Sequence, residues 1–246
     1  MLSLPEKYKK DNRIAVKPFL TPTLSAAEKK RFKDAVEEIR ITYQIEGFDI
    51  PNLVNEEYNC QVIAFLSVRL KDLKSAAFAG RVIQSAVKTL CVIEFTDGID
   101  ECWCFADKRL NKQDNNEIVV ESVFLTEKMP LNFDNDTKTL FKLYIDHGSV
   151  LNRSNKHAYY MEMMTKAFIV FNQTLYSGCM KILDSKLWYS ENNVIRCYSL
   201  LMQLKAMKSA ALKLTSIADK GATNRQMKEV ISQLADMLEG SGENNE

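Results

Sequence analysis

The first part of the chain carries two different spacings of apolar positions. Spacings of three and four predict two helices, one opened by a capping box at Ser25 and Glu28 and one ending near Thr89. The order helix, two strands, helix, three strands predicts an α+β fold, in which a largely antiparallel sheet of about five strands carries both helices on one face. Alternating or β-branched apolar runs place the strands at 39–45, 60–70, 90–95, 101–106 and 117–125.

After Pro130 the strand pattern ends and helical spacing takes over. The pattern predicts one helix over 137–146 and a longer one over 154–183, whose tyrosine and methionine side chains cover more than one face. A helix with apolar residues on several faces is either buried on several sides or forms an interface. We therefore expect two domains, an α+β domain over 1–130 and a helical domain over 131–246.

The end of the helical domain, about 194–238, has the spacing of an antiparallel helical hairpin. Gly221 interrupts a narrow apolar seam, and Thr223 with Gln226 forms a capping box that starts a second helix. Such a hairpin is a scaffold or a docking surface, and packing against its own domain remains an alternative to partner binding. The seam consists of Leu200, Leu204, Met207, Ala211, Leu214 and Ala218, then Met227, Val230, Leu234 and Met237.

Composition narrows the class of protein. The 33 basic and 32 acidic side chains give a formal net charge of +1, which argues against a generally basic nucleic-acid binder but leaves room for a local basic patch. No apolar run is long enough for a secretory signal or a membrane span, so we expect a cytoplasmic protein that does not bind membranes. The six cysteines include no CxxC pair, which indicates reduced, mostly buried thiols.

The search for catalytic motifs is negative. The chain has two histidines and no HExxH or Cys/His cluster, and it lacks GxSxG, GxGxxG and GxxxxGK[ST] sequences. We therefore expect no metal and no cofactor, and the absence of motifs favours a non-catalytic protein without deciding the question.

One catalytic alternative remains, a divergent metal-dependent nuclease. Such an enzyme holds Mg²⁺ on carboxylates carried by a central hairpin. The candidates are Glu94, Asp97 and Glu101 around the predicted Asp97-Gly98 turn, although Asp97 also fits a purely structural turn role.

A second alternative is a DNA-binding module. Lys74, Arg81 and Lys88 recur every seven residues on the second predicted helix, and Lys71 extends this basic stripe. Such a stripe is either a solvated helix face or a surface that meets a phosphate backbone or an acidic partner.

Several short segments resemble a bacterial family catalogued as a domain of unknown function. They are the lead-in Leu4-Pro5-Glu6, the anchor Lys17-Pro18-Phe19, the strand end Val68-Arg69-Leu70 and Asn224-Arg225-Gln226 at the entry to a final amphipathic helix. The family is encoded beside Swi2/Snf2-type helicases and type III restriction-modification genes in prokaryotic defence loci. The resemblance implies an accessory role in antiphage defence and assigns no catalytic residue.

Our leading hypothesis is a non-catalytic accessory subunit of a defence or DNA-processing complex, which docks a larger, helicase-like or restriction-modification partner. The hairpin is the candidate docking element, and its exposed flanks are Lys208, Asn224, Arg225 and Gln233. DNA and a second copy of the chain stay open as further partners.

Overall fold

The computed structural model of the protein describes residues 2–240 and has an α+β architecture followed by helices, as the sequence predicts. The strands are β1 (Lys9–Ile14), β2 (Val36–Ile45), β3 (Leu53–Val54), β4 (Asn59–Cys60), β5 (Ile63–Leu70), β6 (Leu90–Thr96), β7 (Asp100–Leu110), β8 (Ile118–Leu125) and β9 (Met129–Pro130). The helices are α1 (Ala26–Ala35), α2 (Ala76–Ala86), α3 (Asp136–Ile145), α4 (Lys156–Val170), α5 (Cys179–Leu183), α6 (Glu191–Ala211) and α7 (Ile217–Gly240).

Seven strands form one mixed sheet in the order β1-β2-β5-β6-β7-β8, with β9 paired to β7. Every neighbouring pair in it is antiparallel except β5 and β6, which are parallel. A parallel pair needs a long crossover connection, and helix α2 supplies it. Strands β3 and β4 form a separate two-stranded sheet.

Helices α1 and α2 contribute to one apolar core together with the strands. Phe32 of α1 and Ile83 of α2 are fully buried in it beside Val68, Phe95 and Cys104 of the central strands. The start of α1 is fixed by the predicted capping box, in which the Ser25 hydroxyl accepts from the Glu28 N–H and the Glu28 carboxylate accepts from the Ser25 N–H. All six cysteines lie in the described part of the chain, are buried and form no disulfide.

Helix α2 approaches strand β7 closely at Gly80, because a Cβ atom there would lie 2.8 Å from Cys104 Sγ. We expect Gly80→Ala to reduce the free energy of unfolding by about 1–3 kcal/mol through overpacking. Gly221→Ala is the matched control, since its Cβ meets no atom within 4 Å in the middle of α7. It should instead stabilise the protein by about 0.5–1 kcal/mol. Urea denaturation of both variants measures the two changes in the free energy of unfolding. Changes in the same direction for the two variants would contradict the prediction.

Two predicted helix boundaries are wrong. The apolar spacing predicts a first helix that carries Val36 and Ile39 on its inner face, but α1 ends at Ala35 because strand β2 begins at Val36. The long helix expected over 154–183 is interrupted after α4, and only the short α5 follows before Leu183. The Asn172 side chain donates to the Phe168 carbonyl, which satisfies an acceptor at the end of α4 and stops the helix there. The first strand, β1, lies in a segment where the sequence pattern predicts no strand.

The helical hairpin is present as α6 and α7, but its turn is not at Gly221. The connection runs over 212–216, and α7 continues through Gly221, Thr223 and Gln226. Ser216 precedes α7, and its hydroxyl accepts from the Asp219 N–H at 3.4 Å. A serine cap with an acidic residue three positions on starts a helix well, whereas one interior glycine costs only about 1 kcal/mol.

The chain forms two compact units, one ending at Ala167 and one beginning at Phe168, so the division between them falls inside α4. The predicted division into domains over 1–130 and 131–246 separates the strand-containing part from the helical part. It is not the same as the division into compact units, and it stays a prediction. No helix within residues 2–240 combines the length and the apolar character needed to cross a bilayer.

Candidate functional site

The three carboxylates of the nuclease hypothesis lie on the β6–β7 hairpin, but only two of them come together. Thr96 pairs with Glu101 and Glu94 pairs with Trp103, so Glu94 and Glu101 are diagonal neighbours on one face of the sheet. Asp97 lies in the turn, where its Oδ1 accepts the N–H groups of Ile99 and Asp100 at 3.0 and 2.9 Å. The structure therefore gives Asp97 a turn role.

Glu101 is fully buried and pairs with a lysine from another element. Lys138 of α3 places its Nζ 3.2 Å from Glu101 Oε1 and donates to the backbone carbonyls of Pro130 and Leu131. Neither Glu101 oxygen has a partner with hydrogen-bond geometry, so the contact with Lys138 is an ion pair at the right distance but with a poor angle. Burial raises the pKa of Glu101.

Glu94 is the outer member of the carboxyl pair. Burial first, and the neighbouring Glu101 second, raise the pKa of Glu94 to about 7. Its side chain lines a cavity of about 210 Å³ whose other walls are mostly apolar, among them Leu2, Leu4 and Phe65. Near neutral pH the raised pKa of Glu94 therefore favours its protonated form beside the ion pair of Glu101 and Lys138.

A magnesium site needs several ionised oxygen ligands that retain water. In the pair, Glu94 tends to hold a proton and Glu101 already faces an ammonium group. Within residues 2–240 no three His, Cys, Asp or Glu side chains are grouped to hold a metal ion. The nuclease hypothesis stays a prediction, and the described part of the chain supplies it with two adjacent carboxyl groups and no third ligand.

The basic stripe is partly neutralised by neighbouring acids. Lys74 lies 3.5 Å from Asp72, and Lys88 lies 3.7 Å from Glu117. Two further members, Lys71 directly after β5 and Arg81 on α2, are exposed and have no ion pair within residues 2–240. Two compensated and two free cations are typical of a solvated helix face.

The predicted docking residues lie on the two helices of the hairpin. Lys208 on α6 and Asn224 and Arg225 on α7 are exposed, whereas Gln233 is half-buried. The expectation that Asn224 and Arg225 mark the entry to the last helix is wrong, because α7 begins at Ile217 and they lie in its second turn and beyond.

The feature that distinguishes this hairpin is its lack of buried residues around the turn, which the apolar spacing does not predict. No residue is buried over 205–229, which covers the end of α6, the turn and the start of α7; we call this segment the docking arm. At its tip, Leu212 and Ile217 are 89% and 88% exposed. Neither residue belongs to the apolar seam of the hairpin. An apolar residue outside the seam is the sequence feature that indicates this exposure.

The fold and these surfaces define a class of protein, an α+β unit joined to a helical unit that ends in a hairpin with an exposed apolar tip. The chain belongs to the family described as "Domain of unknown function (DUF4391)", whose profile matches residues 2–234. The expected membership in a family of unknown function is thereby confirmed. Searches of curated proteins and of solved structures gave no match.

Proposed function

We propose that this protein is a non-catalytic interaction subunit that docks a larger protein through the docking arm. The observation that carries the proposal is the pair of apolar side chains, Leu212 and Ile217, presented to solvent at the tip of a helical hairpin. A connection between two helices normally carries polar residues, and exposed large apolar side chains there cost solubility without adding to the core.

Folding leaves the Leu212 and Ile217 side chains in water, so their burial against a partner would add a favourable hydrophobic free energy to binding. Transfer of a leucine or isoleucine side chain from water into an apolar pocket contributes about 1.5–3 kcal/mol. The two side chains of the tip are therefore sufficient to act as anchors of an interface, provided that the partner offers a pocket for them.

The charge of the docking arm indicates the charge that a complementary partner surface would carry. The arm carries six basic and two acidic side chains, so its formal charge is +4, whereas the whole chain carries +1. Within residues 2–240 none of these six cations forms an ion pair. The complementary surface is acidic and surrounds an apolar pocket. The six are Lys205, Lys208, Lys213, Lys220, Arg225 and Lys228.

The resemblance to proteins of defence loci supports the choice of partner. We propose a helicase-like or restriction-modification protein of a prokaryotic antiphage or DNA-processing complex as the larger subunit. A second copy of the chain, or DNA held by the basic arm, would be a different occupant of the same surface.

The test places a photo-crosslinking amino acid at Leu212 in host cells and identifies the product by mass spectrometry. We expect one larger protein with an acidic surface to be captured. Binding to that purified protein should then weaken at least tenfold in Leu212→Ser/Ile217→Ser, because both anchors are lost. The free energy of unfolding should change by less than about 0.5 kcal/mol, since neither side chain is buried.

Phe48→Ser is the matched control, because Phe48 is 88% exposed but lies in the other unit. It should leave the affinity unchanged. In Lys208→Glu/Arg225→Glu, association should be slower and less dependent on salt. A crosslink only to a second copy, to DNA or to no partner would overturn the proposal, and so would an equal loss of affinity in the Phe48 control.

A further inference from the structure

Strands β6 and β7 separate at one end of the sheet, and side chains fill the gap. Their pairing extends from Thr96–Glu101 to Ile93–Cys104 and not beyond. Past that point the Tyr160 hydroxyl accepts the Ala106 N–H at 2.8 Å and lies 3.2 Å from the Cys91 carbonyl oxygen. The backbone groups that the two strands cannot offer each other are thus satisfied by a side chain.

Lys108 lies at this open end and is a buried cation. Lys108 is only 3% exposed, and its Nζ donates to the carbonyls of Val87 and Thr89 at 2.8 and 3.1 Å. Cys91 Sγ lies 3.8 Å away. Within residues 2–240 no carboxylate forms an ion pair with it. Burial lowers the pKa of Lys108.

A buried ammonium group without a counter-charge is costly unless an anion reaches it. The contrast with Lys138 is direct, because that buried lysine faces the carboxylate of Glu101 at 3.2 Å. Carbonyl oxygens satisfy the donors of Lys108 but carry no full negative charge, so an anion would supply the counter-charge that these neighbours lack.

Lys108 lines a pocket of about 280 Å³ that opens where the strands part. No acidic side chain lines this pocket. Two further cations stand at its wall, Lys88 and Arg109, and each has an acidic partner outside the pocket lining, Glu117 and Glu121. Arg109 uses its Nε for Glu121 and one terminal nitrogen for the Leu110 carbonyl, which leaves donors of its guanidinium unused. The remaining wall consists of amide side chains (Asn59, Gln61, Asn115, Asn116) and apolar ones (Leu90, Leu110, Ile118) with Cys60 and Thr89.

We propose that this pocket binds a small phosphate ester, with its phosphate group toward Lys108 and Arg109. A phosphate dianion supplies the missing counter-charge and accepts the free N–H groups of arginine in the fork geometry that guanidinium favours. The amide and apolar walls suit an organic body with its own hydrogen-bonding groups. The volume is at the lower end of the range for ligand pockets, which fits a mononucleotide-sized molecule rather than a polymer chain.

The inference is independent of the docking arm, because every residue that lines the pocket belongs to the unit ending at Ala167. The same phosphate chemistry is carried by a free small molecule and by the 5′ end of a nucleic acid. The probes of the experiment therefore separate these two sources.

The experiment is isothermal titration of the full chain with inorganic phosphate, adenosine 5′-monophosphate, adenosine and a 5′-phosphorylated dodecathymidylate. We expect saturable binding of the monophosphate, weaker binding of inorganic phosphate and none of adenosine. Arg109→Gln and Lys88→Gln should each weaken binding about tenfold or more, and Lys108→Met should abolish it. Lys74→Gln is the matched control, since Lys74 is a cation on the same unit outside the pocket.

Lys108→Met also removes two hydrogen bonds to backbone carbonyls, so Arg109→Gln, at the pocket wall, keeps the test decisive if the first variant does not fold. Binding of adenosine as strongly as its monophosphate would overturn the proposal, as would no saturable binding of either phosphate probe. An equal loss in Lys74→Gln and Arg109→Gln would reduce the effect to general electrostatics and overturn the site. Binding of the oligonucleotide alone would overturn the small-ester proposal in favour of nucleic acid.

Discussion

Lys138→Met is expected to lower the free energy of unfolding by about 3–5 kcal/mol, because it leaves the Glu101 carboxylate buried without a counter-charge. Glu101 has no other cation within ion-pair distance and no hydrogen-bond partner for either oxygen in the described part of the chain. The carbonyls of Pro130 and Leu131 also lose their shared donor. Methionine keeps most of the buried side-chain volume, so the loss reports the charge rather than a cavity.

Lys142→Met on the same helix is the control for this substitution. Lys142 pairs with Asp134 at 2.6 Å, but both side chains are partly exposed, and a surface ion pair contributes at most about 1 kcal/mol. Equilibrium denaturation in guanidinium chloride measures both variants. If Lys138→Met costs no more than Lys142→Met, the buried pair does not hold α3 on the sheet in the way the geometry indicates.

Raising the pH from 5 to 8 is expected to destabilise the protein through Glu94. Its pKa is about 7 in the folded protein against an ordinary value of 4.5, so the folded state binds the proton more tightly than the unfolded state. The stabilisation from this group is complete below pH 4.5 and is lost as the pH rises through 7. The loss approaches about 3 kcal/mol above pH 8 if the whole shift acts on stability.

Glu94→Gln removes this dependence, because a neutral amide occupies the position of the protonated acid at every pH. We expect the variant to match the wild type near pH 5 and to be the more stable protein at pH 8. Unfolding free energies at four pH values between 5 and 8 test the difference. A constant offset between the two proteins across this range would show that Glu94 does not titrate in the folded state.

The parts of the fold that the sequence predicts are those with a strong local signal. The central strands were found because their residues are buried and β-branched, and the β6–β7 turn because Asp97 and Gly98 favour it. Strand β1, with the sequence KKDNRI, was missed because an edge strand with solvated side chains has no apolar alternation. The predicted hairpin turn at Gly221 is wrong because the serine cap at Ser216 starts the helix before the glycine is reached.

The candidate sites divide in the same way. Glu94 and Glu101 could be grouped from the sequence, since a tight turn between two strands fixes which residues are neighbours. Their pairing with Lys138 could not, because α3 reaches Glu101 only through the tertiary fold. The position of Lys108 beside a pocket depends on the separation of β6 from β7, which a one-dimensional pattern does not encode.

The absence of buried residues over 205–229 also bears on how easily this part of the hairpin opens. A segment whose backbone hydrogen bonds are covered only by half-buried side chains opens at a small free-energy cost, independently of the folded units. A partner that orders such a segment loses part of the contact energy to conformational entropy. The complex that we propose for the arm should therefore be short-lived for its contact area.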